Sequence, residues 1–162
     1  MDGSRTRVSI AVALTVAVVV VDQAAKALAE RARPTTPNPA LAFNIATGPA
    51  RVLAVFCILM LGLFLCVIGR WTVQIGISPA FLALIAGGGI GNTLDRVRLG
   101  AVRDFIPTPW AIVNVADIAV AAGVLALVVA TIARVRSLRL ASCRIALDLP
   151  TLRATIVRDN TI

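Results

Sequence analysis

Long apolar runs, each closed by charged or turn-forming residues, constrain this chain more than any other feature. Val8–Val21 runs directly into Asp22, Val52–Ile68 ends in Gly69-Arg70-Trp71, and Ala111–Ile132 is followed by Arg134 and Arg136. A helix needs roughly twenty residues to cross a bilayer. The pattern therefore predicts four spans, at about 8–28, 52–69, 73–94 and 111–133. The expected fold class is an all-α polytopic membrane protein, with a small extracytoplasmic cap at 29–50. Pro34, Pro37 and Pro39 keep that cap from being a regular helix, and one or two short strands are expected around Asn38–Asn44. The four-span domain is taken as 1–144, and 145–162 as a cytoplasmic tail, partly ordered at best.

Composition agrees. The chain is 59% hydrophobic and only 15% charged, whereas soluble domains are about half apolar and a quarter charged. The formal charge of +8 suggests nucleic acid only where basic residues form a patch. Here the arginines sit at the ends of apolar runs, so no nucleic-acid partner is expected. Histidine is absent, which removes the commonest general base and metal ligand. Cys57, Cys66 and Cys143 lack metal-ligand spacing. Neither metal nor cofactor is expected. A signal-peptide reading of the basic N-terminus and first run is the weaker one, because the later runs still make a membrane protein.

Against this apolar background stands a polar cluster. Gly87-Gly88-Gly89-Ile90-Gly91-Asn92-Thr93-Leu94-Asp95-Arg96 leads through Arg103-Asp104 to Asn114-Val115-Ala116-Asp117. Ionisable groups at a bilayer rim are costly and are functional candidates by default. Structural readings exist for each. Asn114 and Asp117 fit a helix start. Asp95 and Arg96 fit an ion pair, as do Asp104 with Arg103 or Arg96, and Asp22 with Lys26 four residues on. The glycines fit close helix packing. The functional reading joins Asp104 and Asp117 across a short loop. Two nearby carboxylates hold one proton between them, so one serves as base and the other as acid.

The combination Asn92-x-x-Asp95-Arg96, Val102-x-Asp104-Phe105 and Asn114-x-Ala116-Asp117 resembles the lipoprotein signal peptidases, the signal peptidase II family. Asp22-x-x-x-Lys26, Asn38-Pro39-Ala40-Leu41-Ala42-Phe43 and Gly87–Asn92 match further family segments in order, and the resemblance covers about residues 10–130. It implies an aspartic endopeptidase that removes signal peptides from prolipoproteins bearing a diacylglyceryl-cysteine. Asp104 and Asp117 would be catalytic. Asn38, Asn92, Arg96 and Asn114 would bind substrate or orient the dyad, with Asp22 and Lys26 in support. It further implies contact with membrane lipids through a groove open between spans, and sensitivity to globomycin. The expected location is the bacterial inner membrane, multi-pass, in a monomer. Ala40, Arg103 and Val113 depart from the family's usual glycine, small apolar residue and phenylalanine, and the Asp104–Asp117 loop is short.

Orientation rests on the arginines. Those near the two sides tally evenly, but four crowd after the last span, and Lys26, Arg96 and Arg103 each have a carboxylate nearby. Both termini are therefore placed inside, with the site near the extracytoplasmic face. The competing readings are a catalytically silent relative or membrane scaffold of the same fold and, ranked last, a proton-relay transporter. The latter needs mid-span acids, and these sit at span ends.

Overall fold

The computed structural model describes residues 3–32, 35–38 and 49–159. The chain divides into two compact units, Met1–Leu127 and Val128–Ile162. It is mostly helical: α1 (Gly3–Ala32), α2 (Ala50–Gln74), α3 (Ala80–Leu99) and α4 (Val115–Asp159), with short strands β1 (Thr36–Asn38), β2 (Val102–Asp104), β3 (Ile106–Pro107) and β4 (Ile112–Val113).

Among the described residues, three stretches are long and apolar enough to cross a membrane: Arg5–Ala32, Val52–Gln74 and Val115–Ala141. Their outward faces stay apolar, with Val8, Val16, Leu59 and Leu63 all more than half exposed. Such faces suit lipid, which imposes no cost on exposed aliphatic side chains.

The third expected span, 73–94, is shifted. Helix α2 continues to Gln74, Gly76 turns the chain at φ 72°, and α3 starts only at Ala80. The Ser78 hydroxyl accepts the Ala80 N–H at 3.3 Å. With four glycines and the polar residues from Asn92 onward, α3 is not among the three stretches long and apolar enough to cross a membrane. It is instead the helix with the most buried positions, from Leu82 to Arg96. Glycine is what lets the other helices reach it. A Cβ at Gly87 would press on Val18 of α1, one at Gly88 would overlap the Ala116 carbonyl of α4, and one at Gly91 would lie 2.7 Å from Asp22 Oδ2.

Two antiparallel pairs sit at one end of these helices. Strand β1 pairs with β2 (Thr36↔Asp104, Pro37↔Arg103, Asn38↔Val102), and β3 pairs with β4 (Ile106↔Val113, Pro107↔Ile112). The expected cap strands around Asn38–Asn44 fall, apart from Asn38, outside the described residues. The strand that is present lies just before them. Strands β2 and β3 arise between the third and fourth expected spans, and β4 arises at the start of the fourth. Pro37 and Pro107 are tolerated because each pair is two strands wide and leaves a free edge.

Helix α4 begins at Val115, not 111, because Ile112 and Val113 are taken by β4. It then runs past 133 and through most of the stretch read as a loosely ordered tail. Neither glycine nor proline occurs between residues 124 and 149 to stop it. In the Val128–Ile162 unit, the Ser137 hydroxyl donates to the Arg134 carbonyl at 2.8 Å.

Candidate active site

Helix α4 opens with a reciprocal cap. The Asp117 N–H donates to Asn114 Oδ1 at 3.0 Å, and the Asn114 N–H donates to Asp117 Oδ2 at 3.1 Å. This is the capping-box arrangement, with Asp in the place of the usual Glu or Gln. It leaves Asn114 Nδ2 and Asp117 Oδ1 unused by the cap, and both take up further partners. Asn114 Nδ2 donates to Asp104 Oδ1 at 2.7 Å and to Asn92 Oδ1 at 3.1 Å. Asn92 Nδ2 donates to Asp117 Oδ1 at 2.8 Å.

Asp104 comes from β2. Asn38 is paired through its backbone with Val102, two residues before Asp104 and on the same face of the strand. Side chains on such a diagonal are within reach, and Asn38 Nδ2 donates to Asp104 Oδ2 at 3.0 Å. Both Asp104 oxygens are thus held by side-chain amides. Asp104 and Asn114 are buried, while Asp117 is partly exposed. Burial pushes the Asp104 carboxyl above the usual carboxylate range. The Asp117 charge pushes it the same way, against the pull of the Asn38 and Asn114 hydrogen bonds and of Lys26.

Behind this frame lies a buried ionic layer. Lys26 Nζ meets Asp22 Oδ2 at 2.8 Å, Asp95 Oδ2 at 3.1 Å and Asn92 Oδ1 at 2.9 Å. Its three protons are then fully used. Asn92 Oδ1 accepts from both Lys26 and Asn114, which fixes the amide with its NH2 toward Asp117. Asp22 Oδ1 accepts the Ala116 N–H at 2.9 Å, so α1 also holds the first turn of α4.

The structure brings Asp104, Asp117, Asn38, Asn92, Asn114, Lys26 and Asp22 into one connected network. Arg96 is buried on α3, and its carbonyl accepts the Gly100 N–H at 3.1 Å to close that helix. Two expected pairings are corrected. Asp95 pairs with Lys26 and Arg103, not with its neighbour Arg96. Arg103 reaches Asp95 and Glu30, not Asp104. Adjacent residues on a helix point in different directions, and adjacent residues on a strand point to opposite faces. Sequence reading missed Gln23. Its amide donates to Asp95 at 3.1 Å and to the Gly91 carbonyl at 3.2 Å. Its only signal was a polar residue beside Asp22 at the end of an apolar run.

The family model described as signal peptidase (SPase) II matches residues 14–133. The chain belongs to the signal peptidase II family. Curated relatives include a lipoprotein signal peptidase of Methylobacterium sp. (strain 4-46), 40% identical over 40% of this chain and 44% of its own length. Another, from Chlorobium phaeobacteroides (strain BS1), is 35% identical over 58% of this chain and 67% of its own. The stretch matched to the Methylorubrum extorquens (strain PA1) enzyme, at 48% identity, covers 30% of that protein. The chain thus matches less than half the length of two of these three relatives. Among solved structures, a bacterial membrane enzyme determined in meso at 2.3 Å matches with a TM-score of 0.59 at 21% identity, covering 76% of this chain and 88% of the other. A second, at 1.9 Å, matches with a TM-score of 0.58 at 20% identity over 76% and 92%. The fold of these membrane enzymes is therefore shared, and with three membrane-capable helices the chain is a multi-pass membrane protein.

Proposed function

We propose that this protein is a membrane aspartic endopeptidase that removes signal peptides from diacylglyceryl-modified prolipoproteins. One observation carries the reading. Asn114 touches both carboxylates, donating from Nδ2 to Asp104 and exchanging two hydrogen bonds with Asp117. Membership of the signal peptidase II family supports the reaction class.

In this mechanism Asp104, buried and with its carboxyl pushed above the usual carboxylate range, is the acid. Asp117, partly open to solvent, is the base. Asp117 takes a proton from water as the water oxygen attacks the scissile carbonyl carbon. Asp104 gives its proton to the carbonyl oxygen. The tetrahedral intermediate collapses as Asp117 passes its proton to the amide nitrogen, Asp104 takes back a proton from the gem-diol hydroxyl, and the C–N bond breaks. No metal or cofactor enters. Asn92 and Asn114 orient the dyad, Lys26 and Asp22 hold Asn92 and α4, and Asn38 and Arg96 contribute on the substrate side. Helix α3 is the fourth span, the site lies near the extracytoplasmic face of the inner membrane, and the enzyme works as a monomer.

The reciprocal cap alone accounts for the types of Asn114 and Asp117, and this favours a second reading, a silent relative of the same fold. Cleavage of a diacylglyceryl-modified prolipoprotein by purified protein separates the two. Asp104→Asn and Asp117→Asn should each lower kcat by about 10²- to 10⁴-fold, the usual contribution of a general acid or base, and globomycin should inhibit the wild type. Cleavage unaffected by either substitution removes that aspartate from the mechanism. No cleavage by the wild type leaves the scaffold reading.

A further inference from the structure

Arg103 stands immediately before Asp104, at a position where the sequence resemblance led us to expect a small apolar side chain. On a strand the two side chains point to opposite faces. Asp104 faces Asn38 and Asn114, and Arg103 faces the helices behind. There it makes an unusual set of contacts. Its backbone N–H donates to Asp95 Oδ2 at 3.1 Å, and its Nη2 reaches Asp95 Oδ1 at 2.8 Å, so one carboxylate grips both main chain and side chain. Nη2 also donates to Gln23 Oε1 at 3.1 Å, and Nη1 pairs with Glu30 Oε2 at 3.1 Å. Gln23 and Glu30 belong to α1, and Asp95 to α3. A cavity of about 230 Å³, lined by Gln23, Ala27, Asp95, Arg98, Leu99 and Arg103, opens beside these contacts. Apolar packing therefore does not fill this side of the strand.

We infer that Arg103 is a positioning residue. Through Asp95, Gln23 and Glu30 it clamps β2 to α1 and α3 from behind, and so holds Asp104 against Asn114 and opposite Asp117. This rests on the dyad proposed above. The guanidinium suits the task because its planar fork donates in several fixed directions at once, which an ammonium does not. A displacement of the order of 1 Å at a reacting group can cost about 100-fold in rate, so a three-residue strand at the site needs such a hold.

The test compares wild type, Arg103→Val, Arg103→Lys and Asp104→Asn in prolipoprotein cleavage across pH. Arg103→Val should lose about 10- to 100-fold in kcat with KM changed less than about 3-fold, since the residue acts on geometry rather than on substrate binding. Its alkaline limb should move to lower pH as β2 loosens and water reaches Asp104. The other groups facing Asp104 are Asp117, Lys26, Asn38 and Asn114, and these are unchanged in the variant. Arg103→Lys should recover part of kcat and part of the pH shift. If Arg103→Val keeps wild-type kcat and pH profile, the clamp is overturned. If Arg103→Val does not fold, Arg103→Lys decides: full wild-type activity overturns the role of the fork, and reduced kcat with unchanged KM supports it. Failure of the proposed function itself looks different, with no cleavage by the wild type or equal cleavage by Asp104→Asn.

Discussion

Asn114 and Asp117 exchange two hydrogen bonds across the first turn of α4, and each still has a polar atom turned toward the site. Helix capping and carboxylate placement are thus the work of the same two residues. Serine at 114 separates these roles. Its hydroxyl can accept the Asp117 N–H as a cap, but it lacks the amide group that reaches Asp104 and Asn92. Asn114→Ser should keep the cap but lose about 1–3 kcal/mol with the buried amide's partners, and cleave at least about 10-fold more slowly. Full activity in Asn114→Ser would show that the bridge between the carboxylates is dispensable.

Lys26 holds the layer behind the site. It is fully buried with Asp22 and Asp95 beside it. Removing one member of such a network leaves uncompensated charge, at a cost of about 3–5 kcal/mol. Lys26→Met should therefore lower the thermal midpoint in detergent micelles sharply, and Asp22→Asn combined with Lys26→Met should recover part of the loss. A Lys26→Met protein as stable as wild type would rule out this account of the layer.

The raised Asp104 carboxyl makes a pH prediction. A carboxyl whose folded value lies above its unfolded value binds more protons folded than unfolded. It therefore weakens the fold as pH rises through that range, and imposes no such penalty below the ordinary carboxylate value. Asp104→Asn removes the titration. The midpoint of Asp104→Asn minus that of wild type should be more positive at pH 8 than at pH 4.5. Thermal scans at the two values check the sign, and a constant difference would mean that burial does not perturb this carboxyl.

Glycine at 88 keeps α3 against α4. A Cβ there would overlap the Ala116 carbonyl, whereas one at Gly62 meets nothing within 4 Å. Gly88→Ala should cost about 1–3 kcal/mol by overpacking and should also lower activity, because Asn92 lies one turn further along α3 and reaches Asp117. Gly62→Ala should be neutral or stabilising by up to about 1 kcal/mol, as for an unconstrained helical glycine. Comparable losses at both positions would mean that the close approach is not what the glycine provides.

The apolar runs were enough to read a mostly helical membrane protein, in which three helices are long and apolar enough to cross a membrane among the described residues, and the polar cluster contained the residues that meet at the site. Helix ends were read less well. The start of α4 depended on β4 claiming Ile112 and Val113, and the end of α2 on where Gly76 turned the chain. Strands β2 and β3, with two or three residues each, carry no periodicity long enough to read. The partner of β2 also lies far away in the chain, as Thr36 does for Asp104, whereas β3 pairs with the nearby β4.

By itself the sequence determined that this is a helical membrane protein, because long apolar runs have few other homes. It also determined that its polar residues gather in a few short motifs, and that those motifs mark the signal peptidase II family. Only the tertiary structure decided which donor serves which carboxylate. Asp95 takes Arg103 and Lys26 in preference to adjacent Arg96, and Asp22 takes the Ala116 N–H from 94 residues away. Hydrogen bonds act over about 3 Å and depend on direction. Their partners follow from how the glycines let three helices close on one another, and that closeness exists only in the folded chain.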